Sequence, residues 1–372
     1  MPGGNTLTGI TRPDAAAPVE QPRLQFAANL DILRSIAVLL VLLAHGLEVA
    51  RAKHVGLTFP GYDLCAGRLG VLLFFVHTSL VLNFSLSRLG ASGWVLFRTF
   101  LVRRALRVYP LSVVCVLLVF AFKVPPMPFQ PPLEQYSWGL LLSNLALTMN
   151  LTSYKPVLTP LWSLPIEVQM YVALPVIFTL LGPTRSPRVA LVIWVLASAV
   201  AWMQLSIADY LTVIDYAPCF MAGVVAYTLS GWSPRRLPAL LWMPFLLAIL
   251  CGFAIVQGFA PEGLYNMPLE WVFCLAIGLA IPLFHDSTAT VVNYAAHLLA
   301  RYSYGIYLFH CIALWIGCRL LGGLPEPLQW AIAVAATGVM SVASYHLLEK
   351  PAIELGARLN RKPDTRLPQY SN

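Results

Sequence analysis

The chain has 372 residues, 58% of them hydrophobic and only 11% charged, with a mean hydropathy of +0.73. Soluble domains carry about a quarter charged residues, so the composition excludes an ordinary soluble globule and points to a polytopic membrane protein. The net charge of +8 does not point to nucleic acid, because the cations sit in short clusters between apolar spans, as membrane orientation requires.

Residues 1–28 are polar and Pro/Ala-rich, with no basic flank leading into a short apolar core and a small-residue cleavage site. They read as a disordered N-terminal tail and not as a cleavable signal peptide. Crossing the hydrocarbon takes about 20 apolar residues. Ten segments qualify or nearly qualify: 30–49, 69–87, 108–122, 164–182, 189–208, 214–230, 238–258, 268–285, 302–321 and 328–348.

An eleventh candidate, "SWGLLLSNLALTMN" at 137–150, is short and carries Ser, Asn and Thr. Charge decides against its crossing. Without it, one side collects Arg88, Arg98, Arg103, Arg104, Arg107, Arg185, Arg188, Arg235, Arg236, Arg301 and a basic C-terminal tail. The other side keeps few cations and several acids, among them Asp209, Asp215, Glu262 and Glu326. A crossing at 137–150 would put the pairs at 185/188 and 235/236 on the wrong side. The expectation is an all-α, polytopic membrane helix bundle of about ten transmembrane helices with both termini cytoplasmic. The membrane domain covers 29–356, a cytoplasmic tail covers 357–372, and 137–150 is re-entrant or interfacial.

Polar residues inside these spans carry the functional signal, because a polar group at membrane depth is costly and normally faces a bundle interior or a wet cavity. In "LDILRSIAVLLVLLAHG" (30–46), Asp31, Arg34 and His45 share one helical stripe, His45 lying roughly 16 Å along the axis from Arg34. An Asp31–Arg34 ion pair and a His45 bonded to a neighbouring helix would explain them structurally. His77 is a second mid-span imidazole, with Thr78 and Ser79 beside it.

In "VRRALRVYP" (102–110), Arg104 and Arg107 lie on one face. Guanidinium forks suit phosphate, although topology alone accounts for many such clusters. The Pro-rich connection at 124–132 breaks helix. "LWSLPIEVQMY" (161–171) sets Glu167 one turn from Tyr171, behind an interfacial Trp162. In "ARYSYGIYLFH" (300–310), Ser303, Tyr307 and His310 share a polar face, and an aromatic belt does not account for His310. The seven cysteines are scattered without a CxxC pair, which predicts neither a metal site nor a disulfide framework.

Six stretches in order, "LDILRSIAVLLVLLAHG", "GVLLFFVHTSLVL", "RRALRVYPL", "LWSLPIEVQMY", "RYSYGIYLFH" and "LEKPAIE", give the chain from about 28 to 354 a resemblance. It resembles the acyltransferase-3 family of integral membrane O-acyltransferases. One departure stands out: His77-Thr78-Ser79 replaces the family's usual Leu-Ser-Gly, putting a bulkier polar group where a small one is usual.

The resemblance implies transfer of an acyl group, acetyl by family frequency, from acyl-CoA to a hydroxyl of a glycan or glycoside. Acyl-CoA would be a co-substrate, with no permanently bound cofactor and no metal. His45 would be the general base. Glu167 would orient it or hold the acceptor, and Arg34 would stabilise the oxyanion or, with Asp31, brace the first helix. Arg104 and Arg107 would bind CoA phosphates. Trp162, Tyr171, His77, Tyr307 and His310 would line the substrate site. The implied setting is a bacterial inner membrane; oligomeric state is silent. A transporter or flippase of a glycan or lipid intermediate is the alternative, although neither an inverted repeat nor paired broken helices are visible.

Overall fold

The computed structural model describes residues 27–54, 62–133, 136–182, 185–207, 212–231, 236–258 and 266–359. All ten predicted spans fall on helices. Nine helical stretches among the described residues are long and apolar enough to cross a membrane, and 267–283 is a shorter apolar tenth. The element order is α1 (Ala27–Ala52), α2 (Tyr62–Arg88), α3 (Gly93–Phe122), α4 (Trp138–Ala146), α5 (Met149–Thr152), α6 (Ser163–Leu181), α7 (Pro187–Leu205) and α8 (Val213–Ser230). It continues with α9 (Trp242–Gly258), α10 (Met267–Ala280), α11 (Thr290–Leu314), α12 (Glu326–Ser344) and α13 (Lys350–Leu359). Extended pairing among the described residues is limited to a bridge between Leu237 and Phe284.

Helix α2 stands at the centre, packed against α1, α6, α8, α9 and α10, while α1 also packs on α11. Small residues permit these contacts. A Cβ at Gly70 would lie 2.6 Å from the Ala37 carbonyl oxygen of α1, and one at Gly223 of α8 would lie 2.7 Å from the Ser79 Cβ of α2. Helix α1 is pinned at its start: the Asp286 carboxylate accepts from the Ala28 and Asn29 amides at 3.2 and 2.9 Å. That acid stabilises both the unpaired first-turn N–H groups and the positive helix end. At α8, Thr212 and Asp215 cap each other's backbone.

Several boundaries differ from the sequence reading. The third span begins at Gly93, so Arg104 lies in the helix interior, about 16 Å from its start. Arg98, Arg103, Arg104 and Arg107 broke the apolar window, although Arg104 and Arg107 line a cavity. Segment 137–150 forms α4 and α5, and the nine residues of α4 cover only about 14 Å, too short to cross. Trp138 and Leu142 of α4 and Leu151 of α5 are exposed. The predicted tails, 1–28 and 357–372, lie outside the described residues except for 27–28 and 357–359, which are helical. Two π-helical turns, Trp315–Leu320 and Tyr345–Glu349, continue α11 and α12.

Candidate active site

Two cavities adjoin within the bundle. One, of about 500 Å³, is lined by His45, Glu48, Arg68, Trp162 and Tyr216 among others. The second, of about 290 Å³, is lined by Arg34, His77, Arg104, Arg107, Glu167 and Tyr171 among others. Val71 and Tyr307 line both. His45 and the arginines with Glu167 thus line separate cavities, and Val71 and Tyr307 are the side chains the two share.

Tyr307 is held as a partition. Its hydroxyl donates to the Pro160 carbonyl at 2.7 Å, which leaves its oxygen to accept from Ser163 Oγ, also at 2.7 Å. Pro160 is itself positioned by a tied loop. Asn144 donates to the Lys155 carbonyl at 3.1 Å and accepts from the Val157 amide at 3.0 Å. Thr159 bonds the Pro126 carbonyl through both its amide and its hydroxyl. The proline-containing connections 124–133 and 153–160 are thus fixed by side-chain bonds where their prolines forbid helix.

In the histidine cavity, the partner of His45 is His310. His45 Nδ1 lies 2.8 Å from His310 Nε2, and His310 Nδ1 lies 3.0 Å from the Ile306 carbonyl oxygen. A carbonyl can only accept, so His310 carries its proton on Nδ1 and offers the lone pair of Nε2. His45 must then donate from Nδ1, which leaves its own lone pair on Nε2. The α1–α11 packing brings these rings together, with centroids 5.0 Å apart. His310 is buried and lines neither cavity.

The arginine cavity gathers the remaining predicted polar residues. Arg34 Nε donates to Ser303 Oγ at 2.6 Å, and its guanidinium lies over the Phe74 ring. Asp31 does not pair with Arg34; its carboxylate meets His297 Nδ1 at 2.9 Å. Arg104 Nη2 reaches Ser85 Oγ at 3.3 Å. Glu167 accepts from the Tyr171 hydroxyl at 2.5 Å, as their i,i+4 spacing on α6 allows, and it lines the arginine cavity whereas His45 lines the other. Two buried donors or acceptors here lack a protein partner, His77 Nδ1 and Arg104 Nε. Buried polar groups are rarely left so.

Sequence reasoning missed a buried ion pair on the wall of the histidine cavity. Arg68 of α2 donates from Nε and Nη2 to Glu270 at 2.9 and 2.8 Å. It also bonds the Tyr216 hydroxyl and lies over the Tyr216 and Trp162 rings. Glu270, two residues into the predicted eighth span, was the available signal, since an acid at membrane depth is costly without a reason. Glu349 was also missed. It lies buried in the π turn, both carboxylate oxygens lack a hydrogen-bond partner, and the guanidinium groups of Arg107 and Arg34 act on it electrostatically.

A family model described as an acyltransferase domain, acyltransferase-3, matches residues 27–346. The chain belongs to the acyltransferase-3 family. It is therefore a multi-pass membrane acyltransferase, and both cavities lie within the matched segment. Neither the curated proteins nor the solved structures contain a match to this acyltransferase.

Proposed function

We propose that the chain moves an acyl group, acetyl by default, from acyl-CoA to a hydroxyl of a glycan or glycoside, with His45 as general base. The observation that carries this reading is the hydrogen-bond chain from His45 through His310 to the Ile306 carbonyl. It leaves a basic nitrogen on a ring that lines a cavity large enough for a sugar.

The acceptor occupies the histidine cavity, where Trp162 and Tyr216 offer aromatic faces and Asn150 and Glu48 offer polar groups to hydroxyls. The thioester end of the donor enters the arginine cavity. Arg104 and Arg107 hold CoA phosphates at its mouth, and the unpartnered His77 Nδ1 and Arg104 Nε find their partners on the donor. Donor and acceptor meet at the partition of Val71 and Tyr307.

His45 Nε2 takes the acceptor hydroxyl proton as the oxygen attacks the thioester carbonyl. The tetrahedral oxyanion is met by the Arg34 guanidinium, whose Nε is already fixed by Ser303. The C–S bond then breaks, and the proton on His45 passes to the departing thiolate. Glu167, bonded to Tyr171 beside three arginines, balances their charge and orients them.

The test is acyl transfer by purified protein supplied with labelled acyl-CoA and an acceptor glycoside, alongside mass spectrometry of surface glycans from expressing cells. His45→Gln should lower kcat by about 10²–10⁴-fold at normal expression. Wild-type turnover in that variant would remove His45 from the chemistry. Product formed without any ion gradient marks an enzyme and not a transporter.

A further inference from the structure

The histidine pair has soft neighbours that acyl transfer does not use. One donor atom each from His45, His310 and Cys311 lies within 4.8 Å of the other two. Cys311 Sγ lies 3.6 Å from Met127 Sδ, and both residues are buried. Helices α1 and α11 and the 123–133 loop thus converge on two imidazoles, a thiol and a thioether. No motif announces this cluster, since the donors come from three distant stretches without ligand spacing.

We propose that His45, His310, Cys311 and Met127 form a binding site for a soft monovalent cation, Cu(I), reached through the histidine cavity. Three arguments select this ion. Thiolate and thioether donors favour soft metals, and Cu(I) above the hard divalent ions. One Cu(I) with one thiolate is electrically neutral, whereas a divalent ion would leave a net positive charge in a low-dielectric interior, where unbalanced charge is costly. Finally, the outer ligand sphere is in place: His310 already donates its other ring N–H to the Ile306 carbonyl at 3.0 Å, the arrangement that orients metal-bound histidines.

Metal–ligand bonds of about 2.0 Å to nitrogen and 2.3 Å to sulfur put neighbouring donors roughly 3.3–3.8 Å apart in a tetrahedron. The Met127–Cys311 separation fits as it stands. The His45–His310 contact at 2.8 Å opens slightly, and Cys311 Sγ moves toward the pair.

Binding changes no oxidation state. The Cys311 S–H bond breaks, its proton leaves to water through the histidine cavity, and a Cu–S bond forms. His45 must offer the Nδ1 lone pair to the metal, so its ring proton moves to Nε2. A copper-loaded molecule has no free base at His45, and on the function proposed above its acyl transfer stops.

The experiment uses the full chain in detergent, with Cu(I) supplied under ascorbate and buffered by the chromophoric chelator bicinchoninate. Wild type should withdraw one more equivalent from the chelator than Cys311→Ser or Cys311→Ala, the second variant guarding against a folding defect in the first. Affinity at that equivalent should fall at least about a hundredfold, with Met127→Leu intermediate. Cys311→Ser should transfer acyl groups normally while resisting copper. Equal withdrawal by wild type and both Cys311 variants overturns the site. The chelator readout needs no acyl substrate, so failure of the copper site and failure of the acyltransferase reading are distinguishable.

Discussion

At the scale of single residues, the proposed role of His45 as general base makes its tautomer the property on which activity turns, and the contact with His310 sets that tautomer. The pair is bonded across 265 residues of sequence, so each imidazole was legible as an intramembrane oddity while their contact was not. On the proposed mechanism, His310 acts through His45 and not on substrate. His310→Ala removes the acceptor for His45 Nδ1–H and frees the ring to adopt the other tautomer or turn. It should lower kcat by about 10²-fold with little change in either KM, by analogy with the loss of a general base's contribution. His310→Gln, whose carbonyl oxygen can accept the same hydrogen bond, should recover much of the loss. If the glutamine variant is as inactive as the alanine variant while both fold, orientation by an acceptor is not what His310 supplies. The sequence also exposed Arg34, His77, Arg104, Arg107 and Glu167 by the cost of placing such groups among apolar neighbours. It could not say which of them share a cavity, because helix periodicity assigns a face within one helix and nothing about the helix it meets.

At the scale of elements, α2 is the axis of the bundle, and the Arg68–Glu270 pair fastens it to α10. Both side chains are buried, at 8% and 0% exposure, and the bidentate geometry with the Tyr216 bond satisfies the guanidinium. Breaking such a pair strands a buried charge, at about 3–5 kcal/mol, whereas replacing both members by apolar residues is often neutral. Glu270→Leu alone should therefore lower the melting temperature in detergent sharply, and Arg68→Met combined with Glu270→Leu should restore most of it. Acyl transfer in the double variant should still be weakened, because Arg68 also underlies Trp162 and Tyr216 on the cavity wall. A double variant no more stable than the single one would mean that the pair contributes through more than charge balance. Helix number was the legible part of the fold: spans of about 20 apolar residues announce themselves. The start of α3 and the two π turns were not legible. Cavity-facing arginines lower a hydropathy window as much as solvent-facing ones do, and a π turn depends on what packs beside it.

At the scale of the whole molecule, the proposed function assigns donor and acceptor to two cavities that share Val71 and Tyr307 as lining, and that assignment is measurable. Arg104 and Arg107 line only the arginine cavity; Trp162 lines only the histidine cavity. If the donor's phosphates rest on the arginines, Arg104→Ala loses charge-assisted hydrogen bonds worth about 1.5–3 kcal/mol, or roughly ten- to a hundredfold in acyl-CoA KM. The acceptor KM should be unchanged. Trp162→Ala should do the converse, raising the acceptor KM by a similar order through lost stacking area while leaving the acyl-CoA KM alone. Because Tyr307 belongs to both walls, Tyr307→Phe, which cuts its bonds to Pro160 and Ser163, should disturb both constants together. Reversed effects of the arginine and tryptophan variants would exchange the occupants of the two cavities, and joint effects from all three would mean that a single substrate spans them.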